Sequence, residues 1–408
     1  MNPLRLTRLA PFFTAAFLAS AFAADSLTVT VTHDLDIARP SETITVPFSE
    51  IANAIPGALL QKLAVKNARG ESLPYQVTNI NPHAKDPENK GIAYGDFIFQ
   101  HDFAAGEKSA TFTIERIEGV APVFPTKAFA RHIPERLDDF AWENDKIAHR
   151  TYGPALAAPD PQKTGKEILV TSGLDVWSKR VDYPIVDRWY NKGHDHYHID
   201  EGEGMDMYQV GPSRGCGGTG IWDGKNLHVA RNYAQWRILA NGPIRAIFEL
   251  SYDTWAANGI YVSEVKRFTV DAGHNLDLIE STFSATGNTK ELTVAIGLNK
   301  NPTDRGQDPQ ISVTRAEKDA SLTQWVVQKS NGSLGTAVIV DASSFSGYAE
   351  DDRNLLLLAK TAPGQPLRYR AGAGWSRAGE FTTKEAWDAY IAAQAARLNS
   401  PIRVSYAP

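Results

Sequence analysis

Three consecutive stretches, Ile244-Arg-Ala-Ile-Phe-Glu-Leu-Ser-Tyr252, Ile260-Tyr-Val-Ser-Glu-Val-Lys-Arg-Phe-Thr-Val270 and Leu276-Asp-Leu-Ile-Glu-Ser-Thr-Phe-Ser284, decide the fold class. Each is rich in β-branched and aromatic residues that recur with a period of two, the signature of a half-buried strand. Asn241-Gly242 and Ala272-Gly273 fall where hairpin turns belong. The same pattern extends outward to Leu227 to Tyr233, Gln235 to Ala240, Glu291 to Leu298, Leu334 to Val340 and Leu355 to Leu358. Such uninterrupted antiparallel patterning predicts large sheets packed face to face.

Shorter alternating runs, Leu27 to Thr32, Glu42 to Val46, Phe97 to Phe99 and Ala110 to Ile114, define an N-terminal β lobe over residues 24–120. The linker Gly119 to Pro125 separates it from a main β domain over residues 121–408. Two stretches break the pattern. Thr382-Thr-Lys-Glu385 reads as a capping box for a C-terminal helix, with Trp387, Tyr390, Ile391, Ala395 and Leu398 at helical spacing before Pro401. Asp175 to Lys192 reads as short helical turns. At the other end, Arg5 and Arg8 precede an apolar run from Leu9 to Phe22, and Ala21-Phe-Ala23 gives a small-x-small cleavage pattern. Residues 1–23 are therefore expected to be a secretory signal peptide, with a periplasmic or secreted product. No Cys follows the cleavage point to carry a lipid anchor, and no later apolar stretch is long enough to span a bilayer.

The chain has 408 residues, with 42 Lys+Arg against 47 Asp+Glu and a net charge of -5. That balance gives no electrostatic footprint for nucleic acid or an anionic membrane. Cys216, the single cysteine, excludes an intrachain disulfide and a Cys-based zinc cluster.

The most unusual segment is His194-Asp-His-Tyr-His-Ile-Asp-Glu-Gly-Glu-Gly-Met-Asp-Met-Tyr-Gln-Val-Gly-Pro-Ser-Arg-Gly-Cys-Gly-Gly-Thr-Gly-Ile-Trp222. If extended, it points His194, His196 and His198 to one face. Those imidazoles could then hold a metal, with Asp206 or Glu203 completing the shell. The competing readings are acid/base chemistry by a His or Tyr with an Arg steadying negative charge, and a solvated loop. Gly215-Cys-Gly-Gly-Thr-Gly220 fits G-x-G-x-x-G but lacks the strand-turn-helix context of a dinucleotide site, so no cofactor is expected. Gly211-Pro-Ser-Arg-Gly215 fits G-x-S-x-G, yet Ser213 lies in a glycine-rich stretch of an all-β chain. A second polar constellation, Arg131 to Tyr152, offers carboxylates, an amide, Arg150 and Trp142. These are groups that suit vicinal hydroxyls and the face of a sugar ring, with a sheet surface laced by ion pairs as the alternative.

Asp138-Asp-Phe-Ala-Trp-Glu-Asn-Asp145, Tyr197-His198 with Asp200-x-Gly202-x-Gly204-x-Asp206-x-Tyr208-x-Val210-Gly211, Asn241-Gly-Pro-Ile-Arg245 and Tyr369-x-Ala371-Gly-Ala-Gly-Trp375 resemble the secreted bacterial family called domain of unknown function 4861. The resemblance implies a galactose-mutarotase-like antiparallel β supersandwich following the N-terminal lobe. It also implies an association with polysaccharide breakdown, above all of uronic-acid polymers. Related supersandwich enzymes include uronate lyases, and a dehydratase acting on uronate-ended oligosaccharides resembles the family. β-Elimination from a uronate needs a carboxylate partner, a base for the C5 proton and an acid for the leaving oxygen. On that expectation Arg150 or Arg214 binds the carboxylate of an acidic oligosaccharide, His198 is the base and Tyr208 the acid. Trp142, Glu143, Asp145, Asp206 and Trp222 position the sugar. A mutarotase or epimerase, and a non-catalytic glycan-binding protein, are the alternatives.

Overall fold

The computed structural model describes residues 25–79, 95–303 and 306–407; the signal-peptide expectation for residues 1–23 lies outside them. With 49% strand and 14% helix, the chain is the antiparallel β protein its periodicity predicts. The largest sheet has eight strands, running spatially from Gln235–Ala240 through Arg245–Ala257, Ile260–Asp271, Leu276–Ala285, Pro366–Trp375, Gly332–Val340 and Ser321–Gln328 to Gln310–Ala316. A five-stranded sheet centred on Cys216–Trp222, Leu292–Asn299 and Asn354–Thr361 shares one core with it. A second five-stranded sheet, in the order Gly204–Asp206, Leu174–Lys179, Ala148–Thr151, Asp139–Glu143 and Phe129–Ile133, turns one face to that core through Trp142, Val176 and Met205.

Alternation does what the sequence pattern requires: in Ile260–Asp271, Val262, Glu264, Lys266, Phe268 and Val270 all turn inward. Two charged residues thus enter the core, and they neutralise each other there, Lys266 pairing with Glu264 while Thr219 Oγ1 donates to the same carboxylate at 2.9 Å. The Asn241-Gly242 turn meets the N-terminal lobe. The Gln76 amide accepts from the Ile244 and Arg245 N–H groups, and a Cβ at Gly242 would fall 2.4 Å from that amide and displace it.

The lobe has its own apolar core of Val29, Val31, Ile44, Val46, Phe97, Phe99 and Phe112. Its sheet recruits the last strand of the chain, Arg403–Ala407, which pairs with Ser26–Thr32, a return that the division at residues 120 and 121 does not anticipate.

The C-terminal helix Lys384–Asn399 forms as its spacing predicts. Its cap is Thr383, which accepts from Ala386 N at 3.2 Å, rather than Thr382 of the expected box. Trp387 is fully buried over Gly335 and Gly374, where any side chain would strike its ring. Two further differences are local. The strand expected from Leu227 to Tyr233 shrinks to Leu227–His228, and Asp175 to Lys192 divides into the strand Leu174–Lys179 and the helix Val186–Lys192. Among the described residues no helix is long and apolar enough to cross a membrane.

Candidate functional site

In the sheet Phe129–Asp206, cross-strand register places Arg150 opposite Asp175, and Trp177 opposite Asp206. Residues opposed across an antiparallel pair share a face. That face is covered by the helix Val186–Lys192 and the helical turn His194–Tyr197, whose Trp189, Tyr190 and Tyr197 pack on Trp177. Arg150 is thereby sealed in. Its Nε donates to Asp175 Oδ2 at 2.8 Å, Nη2 to Asp206 Oδ2 at 3.0 Å and Nη1 to the Tyr197 hydroxyl at 3.3 Å, and Asp139 Oδ2 lies 3.5 Å away. Burial alone would depress the guanidinium pKa, but Tyr152 and the three aspartates hold it well above its ordinary value. Burial pushes Asp139 up to about 6 despite the opposing pull of Arg150.

These contacts correct several expectations. Arg150 has no open edge for a substrate carboxylate, because its donors already serve three protein carboxylates and a phenol. Glu143 is equally occupied: it accepts from Lys179 Nζ at 2.9 Å and from the Ile185 and Val186 N–H groups, fixing the start of the helix Val186–Lys192. Trp142 is 1% exposed, stacked on His149 and donating to Asp277 Oδ2 at 2.6 Å, so it presents no ring face to a sugar. The Tyr208 phenol sits in the sandwich core, where its hydroxyl accepts from Asn299 N at 3.4 Å and burial drives its pKa far up, removing it as a proton donor. Trp222 is half-buried at the end of Cys216–Trp222, in a different sheet. Burial also pushes the Cys216 thiol up to about 12, which suits packing and not nucleophilic attack.

The three histidines do not form one strand face. His194–Tyr197 is a helical turn, entered through Gly193 at φ 93°, so successive imidazoles fan out instead of alternating, and His194 and His196 are exposed. No grouping of three or more His, Cys, Asp or Glu suited to a metal occurs among the described residues. His198 differs from its neighbours. It is half-buried, and Nδ1 lies 3.0 Å from the Asp206 carbonyl oxygen. A carbonyl only accepts, so Nδ1 carries the hydrogen and Nε2 keeps its lone pair. Burial and, secondarily, the Arg150 charge lower the His198 pKa, keeping the ring neutral near pH 7. Asp206 thus joins base and cluster: its carbonyl sets the His198 tautomer while its carboxylate holds Arg150.

A cleft of about 200 Å³ opens between this sheet and the eight-stranded one, lined among others by Asp145, Ser178, Arg180, Asn275, Trp375 and Phe381. Ser178 Oγ and Asn275 Oδ1 are buried there without a hydrogen-bond partner. The Asn275 amide nitrogen donates to Ala373 O at 3.0 Å, so its oxygen is an acceptor waiting for a donor. At the rim, Arg180 and Arg377 share the single carboxylate of Asp200, at 3.1 and 3.3 Å, and the Arg377 guanidinium lies over Trp375. Asp200 is two residues beyond His198. Asp145 is the one expected sugar-positioning residue on the cleft wall; it accepts from Gly273 N at 2.6 Å. Arg180, Arg377, Ser178 and Asn275 carry no motif and escape sequence reading. Besides Asp145, Trp375 falls in a stretch that carries the family resemblance, Tyr369 to Trp375.

The class so defined is an antiparallel β-sandwich protein with a polar cleft and an arginine pair at its rim, where the loop carrying His198 reaches Arg180 through Asp200 while His198 itself does not line the cleft. Residues 31–404 match the family described as Domain of unknown function (DUF4861), and the chain belongs to it. A relative, "Uncharacterized protein P7" of Formosa agariphila, is 30% identical over 410 residues, covering 97% of this chain and 98% of its own. Solved structures similar to 95% of this chain are an alpha-mannosidase from Enterococcus faecalis (TM-score 0.49, 9% identity) and a glycosyl hydrolase family 38 protein from the same organism (TM-score 0.47, 9% identity). The chain spans 46% and 48% of their lengths.

Proposed function

We propose that the protein is an exported carbohydrate-active enzyme, a carbon-oxygen lyase or dehydratase acting by β-elimination on uronate-containing oligosaccharides from polysaccharide breakdown. One observation carries this reading: a tautomer-fixed, neutral His198 lies two residues from a carboxylate, Asp200, that is shared by two arginines. One carboxylate, Asp200, is shared by both cations while Asp145, Asp182 and Glu380 also line the cleft, so the pairing with a substrate carboxylate is assigned to the two guanidinium forks at the rim, and Arg180 and Arg377 replace Arg150 in that role. Pairing the uronate carboxylate acidifies the C5 proton. His198 Nε2 removes it, the C4–C5 double bond forms and the C4–O bond breaks. Where proton and leaving group share a ring face, the same imidazolium returns the proton to the departing oxygen, and no tyrosine is needed. Trp375 and Phe381 supply the apolar wall, and Ser178 and Asn275 the contacts for ring hydroxyls.

The test incubates the protein with uronate-ended oligosaccharides, following the ultraviolet absorbance of the C4–C5 double bond together with product masses. Turnover is expected, and His198→Ala should lower kcat by about 10² to 10⁴ with native circular dichroism. Because His198 must be unprotonated and its pKa lies below the ordinary value, the acidic limb of kcat/KM should fall below pH 6.5, the usual imidazole midpoint. Unchanged absorbance and masses across a broad panel would sink the elimination; binding without turnover would make the cleft a glycan-recognition site.

A further inference from the structure

Arg214 is buried just beyond the strand Leu174–Lys179, its carbonyl accepting from Leu174 N at 3.3 Å, in a setting unlike that of Arg150. It precedes a bulge between Cys216 and Thr219, and its stem crosses Gly297, where a Cβ would lie 2.6 Å from it. Nη1 donates to Ser172 Oγ at 2.7 Å and more distantly to Thr219 O; Nη2 reaches Pro212 O at 3.5 Å, and Nε has no partner. No ion pair to Arg214 forms among the described residues. It is 1% exposed, and burial pulls its pKa down to about 10.

A buried cation without a counter-ion is costly unless something supplies the charge. Arg214 lines a cavity of about 500 Å³ together with Lys225 and Arg353, both exposed and neither ion-paired among the described residues. Of the three acids of the same cavity, Glu350 alone is ion-paired to cations outside it. Glu350 meets Arg315 at 3.1 Å and Lys300 at 3.5 Å, and Asp351 closes its own turn by accepting from the N–H groups of Arg353 and Asn354. Asp352, exposed, is the remaining acid. With Glu350 paired to cations outside the cavity, three cations, Arg214, Lys225 and Arg353, face the two carboxylates of Asp351 and Asp352 around a guanidinium whose Nε has no partner. A second cavity of about 250 Å³ continues from the first through Pro212 and Arg353 and adds Gln209, Asn299 and Asn301.

We propose that this pocket binds an oxyanion, a sulfate or carboxylate group borne by an oligosaccharide that extends over the amide-lined neighbouring cavity. The planar guanidinium matches either oxyanion, and its partial dehydration strengthens the contact. The oligosaccharide part rests on the carbohydrate reading above; capture of the oxyanion does not. Full-length protein is titrated calorimetrically with sodium sulfate, sodium D-glucuronate and, at equal ionic strength, sodium chloride. Saturable binding of sulfate or glucuronate beyond chloride is expected, the tighter of the two naming the group. Lys225→Ala/Arg353→Ala should weaken it at least tenfold while the thermal midpoint stays put, since both side chains are exposed. Arg214→Lys, which keeps the charge but loses the fork, should weaken it too. Absence of saturable binding by both anions, or equal affinity in the double variant, would overturn the proposal. Sulfate binding without any turnover of uronates would leave this pocket standing and remove the elimination alone.

Discussion

Arg150 and Arg214 are both buried, both lie in polar stretches, and either one is a sequence candidate for holding a substrate carboxylate, yet the fold treats them in opposite ways. Around Arg150 three strands deliver three aspartates, and two short helical elements close the lid. Around Arg214 the partners are a hydroxyl and two carbonyl oxygens, with no carboxylate at ion-pair distance among the described residues. The lesson concerns where a recognition charge can reside. An arginine whose charge is satisfied internally organises structure, whereas one left without an anion retains attraction for a ligand.

The sharpest way to break this contrast is Arg150→Met. It leaves Asp139, Asp175 and Asp206 buried around an apolar side chain, and uncompensated buried charge costs about 3–5 kcal/mol. That is a large share of the roughly 5–15 kcal/mol that holds a typical domain folded, so the urea midpoint should drop steeply. A loss below about 1 kcal/mol would mean that the cluster is not what secures the sheet.

The next effect is a pH dependence. In the folded protein Asp139 is raised to about 6, against an ordinary carboxyl near 3.9 in the unfolded chain. Between those values the unfolded chain has released the proton and the folded one keeps it. The contribution is therefore fully present at low pH and lost as pH rises through about 6. Asp139→Asn keeps an acceptor for the Tyr190 hydroxyl, which donates to it at 3.0 Å, and removes that loss. The variant should exceed the wild type by on the order of 2 kcal/mol at pH 8 and converge with it near pH 4 in urea titrations. Parallel curves at all pH values would show that Arg150 fully neutralises Asp139.

How much of this was legible beforehand follows from the range of each interaction. Strand alternation is local, so Ile260–Asp271 and its neighbours could be read directly, as could the helix beneath Trp387. The occupancy of Arg150 could not: its partners Asp175 and Asp206 lie 25 and 56 residues away and meet it through sheet register alone. The histidine run misled because polar residues carry no period that separates a strand edge from a turn, and Gly193 commits the chain to the turn. Ser178 and Asn275 became visible only as unsatisfied atoms in a cleft between two sheets. The contact that sets the His198 tautomer, by contrast, is with the Asp206 carbonyl only eight residues away.

The smallest stability effect should come from Arg214→Met. The substitution gives up the hydrogen bond to Ser172 and the longer ones to Thr219 and Pro212, a net cost of about 1 kcal/mol, while it removes a buried charge that Asp351 and Glu264 offset only from beyond ion-pair distance. The methionine stem can still cross Gly297, so the bulge in Cys216–Trp222 keeps its support. Urea unfolding of the two methionine variants side by side is the measurement. If Arg214→Met falls as far as Arg150→Met, Arg214 is as deeply built into the fold as its counterpart, and the contrast between a satisfied and a waiting arginine collapses. If it folds nearly as well as the wild type but no longer captures sulfate or glucuronate, the guanidinium is retained for what it binds and not for what it holds together.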